Sequence, residues 1–130
     1  MSGLRRNFID TGVWLTLFEK DEGWQKCLSA LEEKVETYTS LLTLYEVLLW
    51  YQHRKPKEVA YVAGQMKNRA RLIGIDESIV FDALRLKQRH PQFSTVDAMS
   101  LATARKLQAI FVTADSDFKG IPHARVLKVT

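Results

Sequence analysis

A single cysteine, Cys27, stands in the 130 residues, so the chain can neither close an internal disulfide nor assemble a thiolate metal cluster by itself. A reducing compartment suits such a chain, and a cytoplasmic location is the expectation. Long apolar runs are missing too. The longest, LLTLYEVLLWY from Leu41 to Tyr51, is interrupted by Glu46 and falls well short of the roughly 20 residues that cross a bilayer. The opening MSGLRRNFID lacks the extended apolar core of a secretory signal. Internal repeats, low-complexity tracts and linkers are absent. His53, His90 and His123 have no metal-ligand spacing and lie in polar or turn-like segments, which predicts solvent exposure for each. These absences exclude a disulfide scaffold, a thiolate zinc module and a membrane-spanning helix. They leave one soluble, intracellular domain over 1–130, with no membrane partner.

What is present is ordinary in amount, with 46% hydrophobic and 26% charged residues, near globular averages. The net charge of +4 is compatible with a polyanionic partner, although many basic proteins bind none. Arg54, Lys55, Lys57, Lys67, Arg69 and Arg71 cluster mid-chain, on helices whose faces could approach a phosphate backbone or simply be solvated. Trp14, Trp24, Trp50 and Tyr51 supply large apolar area for a core, and Met66 and Met99 read as core or interface filler.

Periodicity predicts alternation of strands and helices. NFID reads as a strand and TGVWLTLFEK as a helix, with Asp10 at their junction. A helix over Gly23 to Lys34 precedes the strand ETYTS, and LLTLYEVLLWYQHR, apolar almost all round, reads as a buried helix. Pro56 fits the first turn of a helix running through PKEVAYVAGQMKNRAR into a strand LIGID. DESIVFDALRLKQRH and STVDAMSLATARKLQ are further helices, AIFVT a strand, ADSDFKGIP a turn and ARVLKV a last strand. Strands separated by helices require crossovers, so the expected class is α/β, a mostly parallel sheet with helices on both faces. Ligands of such sheets bind outside the carboxyl ends of the strands, where Asp10 and Asp115 fall.

Each acid near that edge has a plain structural explanation. Asp10 can cap a helix, Asp97 stands three residues after Ser94 as in a capping box, and Asp115 and Asp117 can form a turn. Glu46, among Leu42, Thr43, Leu49 and Trp50, needs a cation, a metal or a donor, and a nearby Arg or Lys would serve. The coincidence of four such sites at one predicted edge is what independent caps do not require. Two carboxylates about 4 Å apart repel by roughly 4 kcal/mol at an effective dielectric near 20. Either some protonate or a hard divalent cation neutralises them, and all-oxygen ligation favours Mg2+ or Mn2+ over zinc. Phosphodiester hydrolysis is the natural reaction class.

Four blocks, FIDTGVWL, LLTLYEVL, VDAMSLATA and FVTADSDF followed by IPHARVL, resemble the PIN-domain family and within it the VapC-type ribonucleases of toxin-antitoxin pairs. The likeness spans nearly the whole chain. It implies a three-layer α/β/α sandwich with a mostly parallel central sheet of about five strands, and an acidic pocket for Mg2+ or Mn2+. Asp10, Glu46, Asp97 and Asp115 match the family's catalytic, metal-binding acids, and Asp117 matches a further metal-binding acid of many members. Thr11 and Thr113 match hydroxyl positions beside the site, whereas Gly12 and Trp14 stand where aliphatic or polar residues are common. The resemblance further implies an RNA substrate, a small antitoxin partner and a homodimer. Two other readings compete: a phosphoreceiver-like signalling domain, which needs paired acids after the first strand where only Asp10 occurs, and a PIN fold that binds RNA without cutting it.

Overall fold

Strand β1 (Arg6–Ile9) alternates Phe8 and Ile9 to opposite faces, and β4 (Ile110–Thr113) does the same with Phe111 and Val112. All four side chains are buried, so the sheet they form must be covered on both sides. In the computed structural model, which describes residues 5–130, these strands pair in parallel with β2 (Glu36–Ser40), β3 (Arg71–Ile73) and β5 (Ala124–Val126). The order across the sheet is β3-β2-β1-β4-β5. Every pairing between the described strands is parallel, completing the α/β sandwich read from the sequence.

On one face lie α1 (Thr11–Glu19), α2 (Trp24–Glu32), α3 (Leu41–Arg54) and α4 (Val59–Arg69), packed around Ile9, Val13, Trp14, Val47, Tyr51 and Met66. On the other, α5 (Glu77–Arg89) and α6 (Thr95–Lys106) cover Phe8 and Phe111. Phe93 and Phe118 stack there at a centroid distance of 4.6 Å, and Phe118 meets Phe111 at 4.7 Å. Burial of each such ring contributes about 1.5–3 kcal/mol. Trp14 is wholly buried, with its indole N–H donating to Thr39 Oγ1 at 3.3 Å, while Trp24 and Trp50 are half-buried. Met66 is core, and Met99 packs at the edge of the second cluster.

Several boundaries differ from expectation for local reasons. Pro56 opens a short 3₁₀ turn, and α4 begins only at Val59. β3 stops at Ile73 because Asp76 is used as the N-cap of α5, its Oδ1 accepting from Ile79 N at 3.0 Å. β5 ends at Val126, before the expected ARVLKV is complete. The expectation of a buried α3 is corrected: Thr43, Val47 and Tyr51 face inward, but Leu41, Tyr45 and Leu49 form an exposed stripe. His90 is also less exposed than expected, since its ring lies 5.0 Å from that of Phe93.

Gly23 shows where backbone geometry admits no substitute. It caps α2 at φ +83°, and a Cβ there would stand 2.6 Å from Val129 Cα. Gly23→Ala therefore combines left-handed strain with a clash against the last residues of the chain. A loss of about 2 kcal/mol in denaturant unfolding is expected. A loss under about 0.5 kcal/mol would mean that the terminal segment moves aside freely.

Candidate active site

The chain order reverses at β1 and β4: β2 and β3 lie to one side of β1, whereas β4 and β5 lie to the other. Such a switch point leaves a crevice outside the carboxyl ends of the two central strands. Asp10 follows β1 directly and Thr113 ends β4. The N-termini of α1, α3 and α6 open at the same edge, and their backbone dipoles favour negative charge there.

Asp10 is only 7% exposed, and its carboxyl accepts from Thr113 Oγ1 at 2.8 Å. Asp10 occupies the N-cap of α1 without the usual capping bond to the second or third N–H of that helix, its contact with the helix being to the Thr11 backbone beside it. Burial pushes its pKa from 3.8 up to about 7. Hydrogen bonds from Thr113 and the Thr11 backbone oppose that rise, and the charges of Asp97 and Glu46 add to it. Asp97 and Glu46 are thereby close enough for Asp10 to feel their charge. Thr11 Oγ1 beside them is buried with no hydrogen-bond partner among the described residues.

Glu46 lies on the second turn of α3, half-buried, and among the described residues no cation or donor reaches its carboxylate. The Arg or Lys partner that would have explained it structurally is therefore not found. Asp97 does have the structural role: Ser94 N donates to Asp97 Oδ2 and Asp97 N donates to Ser94 Oγ, both at 3.0 Å. One of its oxygens, Oδ1, is left outside that capping box. Asp115 is tied to the centre through Thr113, whose Oγ1 accepts from Asp115 N at 3.1 Å. Asp115 Oδ1 in turn accepts from Asp117 N at 2.9 Å, the turn role foreseen for this pair. Asp117 is exposed and belongs to a 3₁₀ turn, Ser116–Phe118, at the rim.

Among the described residues no three His, Cys, Asp or Glu side chains close into a ready-made metal cage. The donor set is nevertheless all oxygen, with one buried carboxyl raised in pKa and an orphaned hydroxyl next to it. A small hard cation that keeps several waters and takes only a few carboxylates fits such an open edge.

Sequence reasoning passed over a layer of buried hydroxyls beneath the acids. Ser40 Oγ caps α3, accepting from Thr43 N at 3.0 Å, and Thr43 Oγ1 lies 3.5 Å from Ser100 Oγ on α6. Thr43 precedes Glu46 by three residues and Ser100 follows Asp97 by three, a helical spacing that was the available signal.

A sequence model of the PIN domain family matches residues 8–124. The chain belongs to the PIN domain family. Among solved structures, this PIN domain is similar to a toxin-antitoxin complex from Klebsiella pneumoniae, at 25% identity and a TM-score of 0.74 over 92% of this chain and 96% of that one. It is also similar to VapBC2 from Rickettsia felis, with TM-score 0.76, 17% identity, and 94% and 97% of the two chains covered. Mycobacterium tuberculosis VapC20, a sarcin-ricin loop cleaving toxin, aligns at TM-score 0.74 and 23% identity over 89% of this chain and 95% of that one. No curated protein sequence matches it. The PIN strand order, β3-β2-β1-β4-β5, differs from the 2-1-3-4-5 order of phosphoreceiver-type folds, which removes that competing reading. No helix among the described residues is long and apolar enough to cross a membrane.

Proposed function

We propose that this PIN domain, a single domain over 1–130, is a divalent-metal-dependent endoribonuclease that hydrolyses RNA phosphodiester bonds in the cytoplasm. It is the toxin of a VapBC-type pair, with a small antitoxin protein as partner. The observation that carries the reading is Asp10, a carboxyl at the switch point of the sheet whose pKa is raised to about 7, chiefly by burial, with the charges of Asp97 and Glu46 adding to the rise. A buried carboxyl that resists ionisation beside two further acids is a place where a cation relieves the cost of charge.

Asp10, Glu46, Asp97, Asp115 and Asp117 would hold Mg2+ or Mn2+, the first four being the catalytic set. When bound, such an ion orients a water, lowers its pKa and offsets charge developing on phosphate oxygens. The chain's own residues set the geometry. Thr113 and the Thr11 backbone fix the Asp10 carboxyl, and the Ser94 backbone fixes one oxygen of Asp97. Glu46, without a cation or donor among the described residues, is the carboxylate available to take the proton that the attacking water releases. The three helix N-termini favour the approach of a scissile phosphate once the acids are neutralised.

The exposed stripe of Leu41, Tyr45 and Leu49 on α3 supports a homodimer, since an apolar helix face of this kind is covered in most soluble assemblies. RNA cleavage tests the reading: Mg2+ or Mn2+ should support it and EDTA should stop it. Metal should also raise the melting temperature, because a ligand of the native state stabilises by mass action. Asp10→Asn combined with Asp97→Asn should erase most of that rise, while asparagine at residue 97 still accepts from Ser94 N and keeps α6 capped. An unchanged metal response in the double variant would place the ion elsewhere.

A further inference from the structure

A cavity of about 720 Å3 opens at the end of the molecule opposite the acidic edge, beneath the amino ends of β4 and β5. Its accessible apolar wall is offered by the half-buried Ile110 and Ile121 and the exposed Pro122, backed by the buried Leu86, Leu101 and Ala109. Its rim is cationic and polar. Arg89 comes from the last turn of α5, Arg105 from the last turn of α6, and Gln108 and His123 from the loops that enter β4 and β5.

One of the two arginines stands outside any ion pair among the described residues. Arg89 has no carboxylate partner among the described residues. Arg105 pairs with Asp82 through Nε, at 3.2 Å, and its side chain is about half exposed, 47%. The carbonyl ends of α5 and α6 lie here and account for some basic side chains in their last turns. They do not account for Gln108. This residue follows the C-cap of α6 in left-handed backbone, φ 53°, a position where glycine is the usual and least strained choice. His123, at φ 64°, is a second non-glycine residue held left-handed on the same cavity wall. Two strained positions that keep their side chains on one cavity point to those side chains being used.

We propose that this cavity binds a nucleoside monophosphate unit. The base lies against Ile110, Ile121 and Pro122, the Gln108 amide offers one donor and one acceptor to the base edge, and the guanidinium of Arg89, with that of Arg105 beside it, takes the phosphate. The volume falls within the range of pockets for ligands of this size. The unit is either a free mononucleotide or one residue of an RNA strand, since the chemistry is shared. The site needs neither metal nor the acids, so it stands independently of the nuclease reading.

Calorimetric titration in EDTA with the four nucleoside 5′-monophosphates tests it, with inorganic phosphate as a second probe. At least one nucleotide should bind, and phosphate alone should bind about tenfold more weakly or worse. Arg89→Gln should weaken the nucleotide about tenfold, as expected for loss of a bidentate charged contact. Gln108→Gly gives the sharper result: it should raise the melting temperature by relieving strain, yet weaken nucleotide binding. A short single-stranded RNA, titrated onto Asp10→Asn protein, separates the sources. RNA affinity that falls in the added Arg89→Gln background assigns an RNA residue, and RNA affinity that stays constant while mononucleotide affinity falls assigns a free nucleotide. Absence of binding by all four nucleotides at millimolar concentration, or binding that neither variant alters, overturns the proposal.

Discussion

Asp10→Asn is expected to reduce metal-dependent RNA cleavage by about 10³-fold and, without metal, to give a protein that melts higher than wild type at pH 8. Both effects have one origin. The Asp10 carboxyl has an ordinary pKa of 3.8 and a folded-state value near 7. Between those values the native state keeps a proton that the unfolded chain has released. The contribution of this group to stability is thus fully present below pH 3.8 and is lost as pH rises through 7. The loss is on the order of 4 kcal/mol if nothing else responds. Asparagine does not titrate, and its side-chain oxygen can still accept from Thr113. The stability gap between variant and wild type should therefore widen from pH 4 to pH 8, as followed by urea unfolding in EDTA. Added Mg2+ should narrow it by stabilising wild type alone. A variant less stable than wild type across this range would mean that Asp10 holds the fold as a carboxylate and is not a buried, protonated acid.

Glu46→Gln should remove cleavage by about 10²–10³-fold while thermal stability without metal holds or rises. The side chain is half-buried on α3, adds its charge to that felt by Asp10, and among the described residues receives no cation. Replacing it by a neutral isostere removes repulsion and leaves volume and helix propensity nearly unchanged. Circular dichroism melts and a cleavage assay on the same preparation decide the matter. A marked fall in melting temperature with cleavage retained would identify Glu46 as a structural residue.

Much of this arrangement was legible in the sequence because it is carried by short-range pattern. NFID, ETYTS and AIFVT are compact β-formers next to helical repeats, and the structure has strands at all three. Ser94 and Asp97, three apart before an apolar run, form the expected capping box. What escaped notice depends on tertiary placement. LLTLYEVLLWYQHR reads as buried because of its composition, yet only the Thr43, Val47 and Tyr51 face meets the sheet, and Leu41, Tyr45 and Leu49 stay exposed. LIGID has strand composition, but Asp76 bonds forward to α5 and ends the strand early. The mid-chain basic cluster likewise lost members to neighbours: Lys55 pairs with Glu19 at 2.5 Å, and Arg54 lies over the Trp50 ring at 4.5 Å. The hydroxyl layer under the acids became visible only once α3 and α6 were brought together.

The bond from Thr113 to Asp10 joins residues 103 positions apart, across the central pair of strands. Three acids of the edge, Asp10, Glu46 and Asp97, precede β4 in the chain, and the strand that shelters Asp10 and the hydroxyl that fixes it come after all three. During synthesis, at about 5–20 residues per second, the nascent chain therefore carries Asp10 and Glu46 for seconds before β4 exists to organise them. Contacts of such long sequence separation form late and slowly. This topology defers assembly of the acidic edge until β4 has been made.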